Sequence, residues 1–282
     1  MNTEPRVDFA RAARLSPLEF LACWEVLDLG DPPLALALRP VGRTIDEHDR
    51  IHRDALAGLA RRGLAVPAAA AAAASAQPRL VPSPPLAAGL RLLATAPTLG
   101  DLRLSGTDSP DLVAVGAMAR EHGVLAVLRD GELTLLPVAG PTVPTTLVEL
   151  VGPLTPARAR PVNIPAEVLD RACRAAEDGN LWQLADRLIE LGVPAVDAHS
   201  LARMCTGITA AGQLGVTARD RGGRDRRARW VVGFHRGRHG DCLQLRRPTG
   251  AGRETVTIAP ITTDKLLAQF TGLLRDAHLA AA

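Results

Sequence analysis

Two histidine pairs are the residues in this 282-residue chain whose types and spacing could bind a metal ion. His48 and His52 are four residues apart in a segment predicted to be helical, so their side chains share one helix face. His235 and His239 lie in a predicted hairpin, where that spacing does not bring both rings to one side. Acidic and basic side chains surround His48 and His52, which is typical of a solvated helix face. We therefore expect no bound metal at either pair.

Residues for covalent catalysis are also sparse. The sequence lacks the nucleophile, phosphate-loop, zinc-protease and dinucleotide-binding motifs of the common enzyme classes. Cys205 follows His199 by six residues, but a buried structural thiol explains Cys205 more simply. The four cysteines are isolated, without the CxxC spacing that indicates a zinc or redox site. We expect a protein that is not an enzyme, with no catalytic residues and no cofactor.

Residues 219–253 carry the strongest local charge, with eleven arginines against three aspartates. The whole chain has a formal net charge of only +3. Clustered arginines can bind nucleic acid by releasing counterions, or they can dock an acidic partner. They can equally form solvated turns and charged guards at a sheet edge. We favour the interpretation of solvated turns and charged residues at a sheet edge. A nucleic-acid-binding regulator that uses residues 219–253 is the alternative function.

Composition excludes several further classes. Aromatic residues make up 2% of the chain and tyrosine is absent, which argues against a sugar-binding cleft or a base-stacking platform. No window approaches eighteen strongly apolar residues, and no apolar segment typical of a signal peptide follows the first arginines. We expect a cytoplasmic protein with no membrane partner and no bound nucleic acid.

Helix starts give the clearest structural signals. Ser16–Glu19 reads Ser-Pro-Leu-Glu, a capping box with proline in the first turn, and Thr44–Glu47 is a second capping box. The apolar run at residues 34–38 predicts a short strand. From residue 101 the period changes to two, which predicts an antiparallel meander with a tight hairpin turn at residues 129–131. A second set of helices, started by Asn163 and Pro165, precedes a second set of strands and a last helix.

The ends of the two predicted meanders match each other. Leu133–Pro137 and Val256–Pro260 are both alternating strands that end in proline. A threonine pair and an apolar helix then follow each of them. This match predicts a tandem duplication in which each half runs helices, meander, helix.

The predicted domain organisation follows from that duplication. We expect one domain over residues 1–282 with internal halves 1–152 and 153–282. Residues 65–85 form an alanine- and proline-rich, low-complexity connection. The predicted fold class is α+β, a pseudo-two-fold duplicated fold in which helical bundles flank a central antiparallel sheet.

The order of the apolar motifs resembles the EspG family of chaperones from actinobacterial type VII (ESX) secretion systems. The resemblance covers almost the whole chain outside the alanine- and proline-rich connection. It rests on an arginine-rich hairpin and on these segments: Leu15–Phe20 (LSPLEF), Trp24–Gly30 (WEVLDLG), Gly42–Thr44 (GRT), Leu59–Leu64 (LARRGL), Trp230–Val232 (WVV) and Val256–Pro260 (VTIAP).

The resemblance implies a non-enzymatic function. A protein of this family would bind the exposed apolar tip of a helical-hairpin substrate in the cytosol before export, because such a tip favours aggregation unless a partner covers it. The implied substrate is a PE–PPE heterodimer. Because tyrosine is absent and residues 65–85 have low complexity, a small helical-hairpin ESX protein is the other candidate.

The family has no short signature for its binding residues, so the contact surface is our own hypothesis. We expect it in the loop from Ser105 to Pro110 and on the polar face of the C-terminal meander. The candidate residues are Ser105, Gly106, Thr107, Asp108, Gln244, Arg246, Thr255 and Thr257. We expect the chaperone to be a monomer or a weak dimer.

Overall fold

The computed structural model describes residues 12–39, 41–68, 79–107, 111–175, 181–249 and 252–282. The chain forms two compact units. The N-terminal unit comprises Asp8–Asp101 and Leu112–Val143, and the C-terminal unit includes Leu102–Asp111 and Pro144–Ala282. The short segment Leu102–Asp111 therefore belongs to a different unit from the residues on either side of it.

Three helices form the helical part of the N-terminal unit: α1 (Pro17–Val26), α2 (Ile45–Arg61) and α3 (Pro84–Thr95). The predicted capping box starts α1. The Glu19 N–H donates to the Ser16 hydroxyl at 3.1 Å, and the Ser16 N–H donates to the Glu19 carboxylate at 2.8 Å. At α2 the Thr44 hydroxyl accepts from the Glu47 N–H at 3.2 Å, and the Glu47 carboxylate accepts from the Arg43 N–H instead of closing the box.

The strands of the N-terminal unit form an antiparallel meander. These are β1 (Ala13–Leu15), β5 (Leu112–Ala119), β6 (His122–Arg129) and β7 (Glu132–Ala139), with β2 (Ala65–Pro67) and β3 (Leu80–Pro82) as a separate pair. The order of the meander is β1-β7-β6-β5. The β6–β7 turn is the predicted hairpin turn, because Asp130 and Gly131 both have positive φ, 53° and 74°.

The core of the N-terminal unit lies between these helices and the meander. Phe20 and Trp24 stack with ring centroids 5.2 Å apart, and the Trp24 indole N–H donates to the Gly30 carbonyl at 2.8 Å. Leu59 and Leu90 are fully buried in the same apolar cluster. A single core therefore binds all three helices to the sheet.

The C-terminal unit also combines helices with antiparallel strands. The helices are α4 (Val143–Glu149), α5 (Ala166–Ala175), α6 (Leu181–Glu190), α7 (Ala195–Met204) and α8 (Thr263–Ala281). The strands are β8 (Val162–Pro165), β9 (Ile208–Arg219), β10 (Asp225–Arg227), β11 (Val232–Gly237), β12 (Gly240–Pro248) and β13 (Glu254–Pro260). Strand β4 (Thr98–Gly106) runs from one unit into the other, and its C-terminal residues join β9 in the order β4-β9-β11-β12-β13-β8.

The predicted α+β class, with helices that flank an antiparallel sheet, is confirmed. Two local expectations are wrong: the strand at residues 34–38 and the helix start at Asn163 and Pro165. Residues 34–38 contain a 3₁₀ turn, Leu34–Leu36, in place of a strand, and Ala37 follows it with a positive φ of 51°. Residues 65–85 contain β2, β3 and the start of α3, so part of this connection is regular. Asn163 and Pro165 lie in β8, and the helix starts only at Ala166.

Candidate functional site: an open sheet face

Three strands of the C-terminal unit place a row of polar and small residues side by side. Gly233 of β11 lies opposite Gln213 of β9 and opposite Gln244 of β12. Residues paired across antiparallel strands project to the same side of the sheet. Gln244 is exposed, and Gln213 and Gly233 are half-buried. Because Gly233 has no side chain, the surface has a depression at the centre of the row.

Strand β4 extends this face. The Thr107 N–H donates to the Thr209 carbonyl at 2.9 Å, and the Arg103 carbonyl lies beside Gly212. The residue numbers of β4 fall as those of β9 rise, so the two strands are antiparallel. Counting two residues back from Thr107 places Ser105 beside Ala211. Ser105 and Ala211 are both exposed.

The reverse face of the same strands is covered. The residues that alternate with the exposed row are buried: Leu214, Val232, Phe234 and Leu245. Helix α8 packs on β9 and β11 there and contributes Phe270 and Leu273. In the described part of the chain, the helix contacts of β9 are chiefly those of α8. On the other side His235, opposite Ala211, and Cys242, opposite His235, are also buried. We call the remaining part of that side, formed by Ser105, Ala211, Gln213, Gly233 and Gln244, the open sheet face.

The structure divides the predicted contact residues into three groups. Ser105 and Gln244 share the open sheet face. Thr255 and Thr257 pair with Arg247 and Leu245, so they lie on the opposite side of the sheet from Gln244. The expectation of one polar face that includes both threonines is therefore wrong.

The remaining predicted residues are held by other contacts or lie beyond the face. Thr107 is hydrogen-bonded to β9 at the edge of the open sheet face, and Gly106 alternates away from it. Asp108 lies outside the described residues. Whether any of these residues contacts a partner stays a prediction.

Arg246 is tied into the C-terminal unit. Its guanidinium donates to Asp170 of α5 at 3.0 and 3.2 Å and to Glu254 of β13 at 2.6 Å. Two carboxylates on different elements thus hold one arginine. This arrangement makes Arg246 a link between β12 and its neighbours at the margin of the open sheet face.

Much of the arginine-rich segment is paired within the chain. Arg219 lies 3.0 Å from Asp225, and Arg226 lies 2.9 Å from Asp220. The Arg247 guanidinium stacks 4.1 Å from the centroid of the Trp230 ring. These contacts fit the interpretation of charged turns that guard the sheet, since paired arginines offer less charge to a nucleic acid.

The cysteines have the chemistry of structural thiols. Burial raises the pKa of Cys23 and of Cys205 to about 12 and that of Cys242 to about 11. His199, the residue that could have activated Cys205, has its Nδ1 within 2.6 Å of the Ala195 carbonyl. Neither group has the arrangement of a catalytic pair.

At pH 8, iodoacetamide is expected to modify Cys173 at least ten times faster than the other three cysteines. Cys173 is exposed on α5, whereas Cys23 and Cys242 are buried. Peptide mass spectrometry over a time course would give the four rates, with Cys173→Ser as the control that removes the fast phase. A folded protein in which Cys205 reacts as fast as Cys173 would contradict the buried-thiol assignment.

A second cluster lies in the N-terminal unit, around the predicted histidine pair. Glu25 of α1 contacts both rings, at 2.8 Å from His48 and 3.1 Å from His52. Hydrogen bonds to the Val41 carbonyl and to the Glu25 carboxylate raise the pKa of His48, and burial lowers the pKa of His52. Sequence reasoning missed Glu25 because the carboxylate is 23 residues from His48.

The family model described as "EspG family" matches residues 16–270. No curated protein matches the chain by sequence. Within the described residues, no helix is long and apolar enough to cross a membrane.

Among solved structures, the chain is similar to the Mycobacterium tuberculosis type VII secretion system chaperone EspG5, solved in complex with the PE25-PPE41 dimer. The two share 17% sequence identity with a TM-score of 0.69, and the match covers 94% of this chain and 96% of that chain. That likeness concerns the fold. Because the family model spans most of the sequence, the chain belongs to the EspG family.

Proposed function

We propose that this protein is a cytoplasmic chaperone of a type VII secretion system that binds a helical-hairpin substrate of the PE/PPE kind before export. Membership of the EspG family carries this proposal. The solved relative is a type VII secretion system chaperone in complex with the PE25-PPE41 dimer. We further propose that the protein performs no catalysis, which fits the raised thiol pKa of Cys23, Cys205 and Cys242.

We propose the open sheet face as the docking surface. Its five residues are uncharged, so a partner that covers them displaces little strongly bound water. The exposed Arg103, two residues before Ser105 on β4, borders them. Charged residues are depleted at the centres of protein interfaces for the same reason. Small residues at Ser105, Ala211 and Gly233 allow the backbone of a partner helix to approach the strands closely.

Ile208 adds an apolar contact at one end of this surface. A register shift in the β9–β11 pair places it opposite Gly237, which is on the same side of β11 as Gly233, and 45% of its surface is exposed. The combination of an exposed isoleucine with small and amide side chains suits a hairpin tip that carries both apolar groups and free helix-end backbone groups. A negatively charged nucleic acid would gain little from such an uncharged surface.

Co-expression with PE–PPE-like pairs encoded beside type VII secretion genes of the same genome tests this proposal. Size-exclusion chromatography with light scattering should give a complex of one chaperone with one substrate pair. We expect the complex to persist at 0.5 M NaCl, since its contacts are largely uncharged. The proposal fails if no encoded pair binds, or if the chain instead retains nucleic acid that is released steeply as salt rises.

A further inference from the structure

We propose that Glu25, His48 and His52 form a binding site for one first-row transition-metal ion, with zinc as the ion that the donor set suits best. The site lies within the N-terminal unit, whereas the residues that define the open sheet face belong to the C-terminal unit. The proposal does not depend on the proposed function.

The three donor atoms are close to a coordinating arrangement. The Glu25 Oε2 atom lies 2.8 Å from His48 Nε2 and 3.1 Å from His52 Nδ1. All three donor atoms lie within 4.8 Å of one another. Ligand atoms around tetrahedral zinc, with bonds of about 2.0–2.1 Å, stand about 3.3 Å apart. The two carboxylate–imidazole distances therefore differ from that value by about 0.5 and 0.2 Å.

The fold orients these donors before any ion binds. His48 and His52 are one turn apart on α2, and their ring centroids are 3.9 Å from each other. Glu25 approaches from α1, which packs against α2. The two histidines thus come from one rigid helix and the carboxylate from its neighbour, so little conformational entropy is lost on binding.

An outer hydrogen bond fixes the tautomer of His48. Its Nδ1 lies 2.9 Å from the Val41 carbonyl, which can only accept, so Nδ1 carries the hydrogen. Histidines that bind zinc characteristically donate their other ring N–H to a carbonyl or a carboxylate. With Nδ1 protonated, Nε2 is the atom that faces Glu25, and it offers a lone pair to a metal ion when the ring is neutral.

This arrangement leaves a place for a cation. Without one, the Nε2 lone pair would face a carboxylate oxygen at 2.8 Å, and both are acceptors. A proton on Nε2 relieves that contact, and His52 Nδ1–H can donate to the same carboxylate, so a metal ion competes with protons for the site. A divalent ion would satisfy His48, His52 and Glu25 together.

The donor set and its exposure indicate the class of ion. Two imidazoles and one carboxylate match the three-ligand zinc sites that keep a fourth position for water. His52 is buried, whereas Glu25 and His48 are accessible to solvent. An ion can thus enter from solution and retain a water molecule on the exposed side.

Isothermal titration of the full-length, tag-free protein with zinc chloride tests the site. We expect one ion per chain with a dissociation constant in the micromolar range or below. Glu25→Gln and His48→Ala should each weaken binding at least tenfold. Cobalt substitution should give visible d–d absorption bands typical of a four-coordinate ion in the wild-type protein and not in His48→Ala.

A matched control separates this site from adventitious binding to other histidines. His199→Ala removes a histidine on α7 whose Nδ1 contacts a backbone carbonyl in the same way as His48. This variant should bind zinc as the wild type does. The proposal is overturned if the wild type binds less than one ion, or if Glu25→Gln and His48→Ala bind as tightly as the wild type. Since Glu25 and His48 are both accessible to solvent, their variants should fold, which thermal unfolding would verify.

Discussion

Ala211→Arg is expected to weaken binding of the helical-hairpin substrate by about 30-fold or more. Ala211 is exposed on the open sheet face beside Ser105, where a partner helix would need close approach to the strands. An arginine there adds bulk and a charge that must lose water on binding. A cost of about 2 kcal/mol corresponds to about a 30-fold loss in affinity. Biolayer interferometry with the purified substrate pair would measure it.

The same substitution elsewhere in the unit provides the control. Ala280→Arg places an identical charge on an exposed position of α8, away from the open sheet face. Its affinity should equal that of the wild type, and both variants should keep the wild-type melting temperature. If Ala211→Arg bound as tightly as Ala280→Arg, the open sheet face would not be the docking surface, although the protein could still be a chaperone.

Leu90→Ala is expected to reduce the free energy of unfolding by about 2–5 kcal/mol. Leu90 of α3 is 0% exposed in the apolar cluster that also contains Trp24. Truncation removes buried apolar surface and leaves a cavity that a packed core fills only in part. Urea unfolding followed by tryptophan fluorescence would report the loss, because Trp24 lies in the same core.

Leu34→Ala is the matched control, since it deletes the same atoms from a leucine that is 90% exposed. Its free energy of unfolding should stay within about 0.5 kcal/mol of the wild-type value. Equal destabilisation by the two variants would mean that the packing around α3 is not the core described for the N-terminal unit.

Local sequence signals predicted the elements that depend on neighbouring residues. Ser16 and Glu19 form the capping box that their spacing indicates, because both partners lie within one helical turn. Asp130 and Gly131 adopt the positive φ values that the hairpin turn requires. The 3₁₀ turn at Leu34–Leu36 was not predicted, since a short apolar run fits a strand and a turn equally well.

The sites depend on long-range pairing that the sequence does not display. Ser105 and Gln244 share a face only because β4, β9, β11 and β12 are adjacent in that order. Thr257 lies on the other face because it is in register with Leu245 rather than with Gln244. A shift of one residue would reverse this assignment.

Residues with little chemistry of their own were equally hard to find. Ala211 and Gly233 contribute to the open sheet face because their side chains are small or absent. Catalytic and binding motifs do not include such residues. Glu25 reaches His48 from another helix. A search for covarying positions in an alignment would be the natural signal for such pairs.

The path of β4 has a consequence for synthesis on the ribosome. Thr107 and its partner Thr209 are 102 residues apart in the sequence. At about 5–20 residues per second, the C-terminal end of β4 waits roughly 5–20 s for β9 to emerge. During that time a strand edge with free N–H and C=O groups is open to pairing with other nascent chains. A protein of this architecture would therefore pass through an aggregation-prone stage during translation. Slow translation between residues 107 and 209 would lengthen that stage.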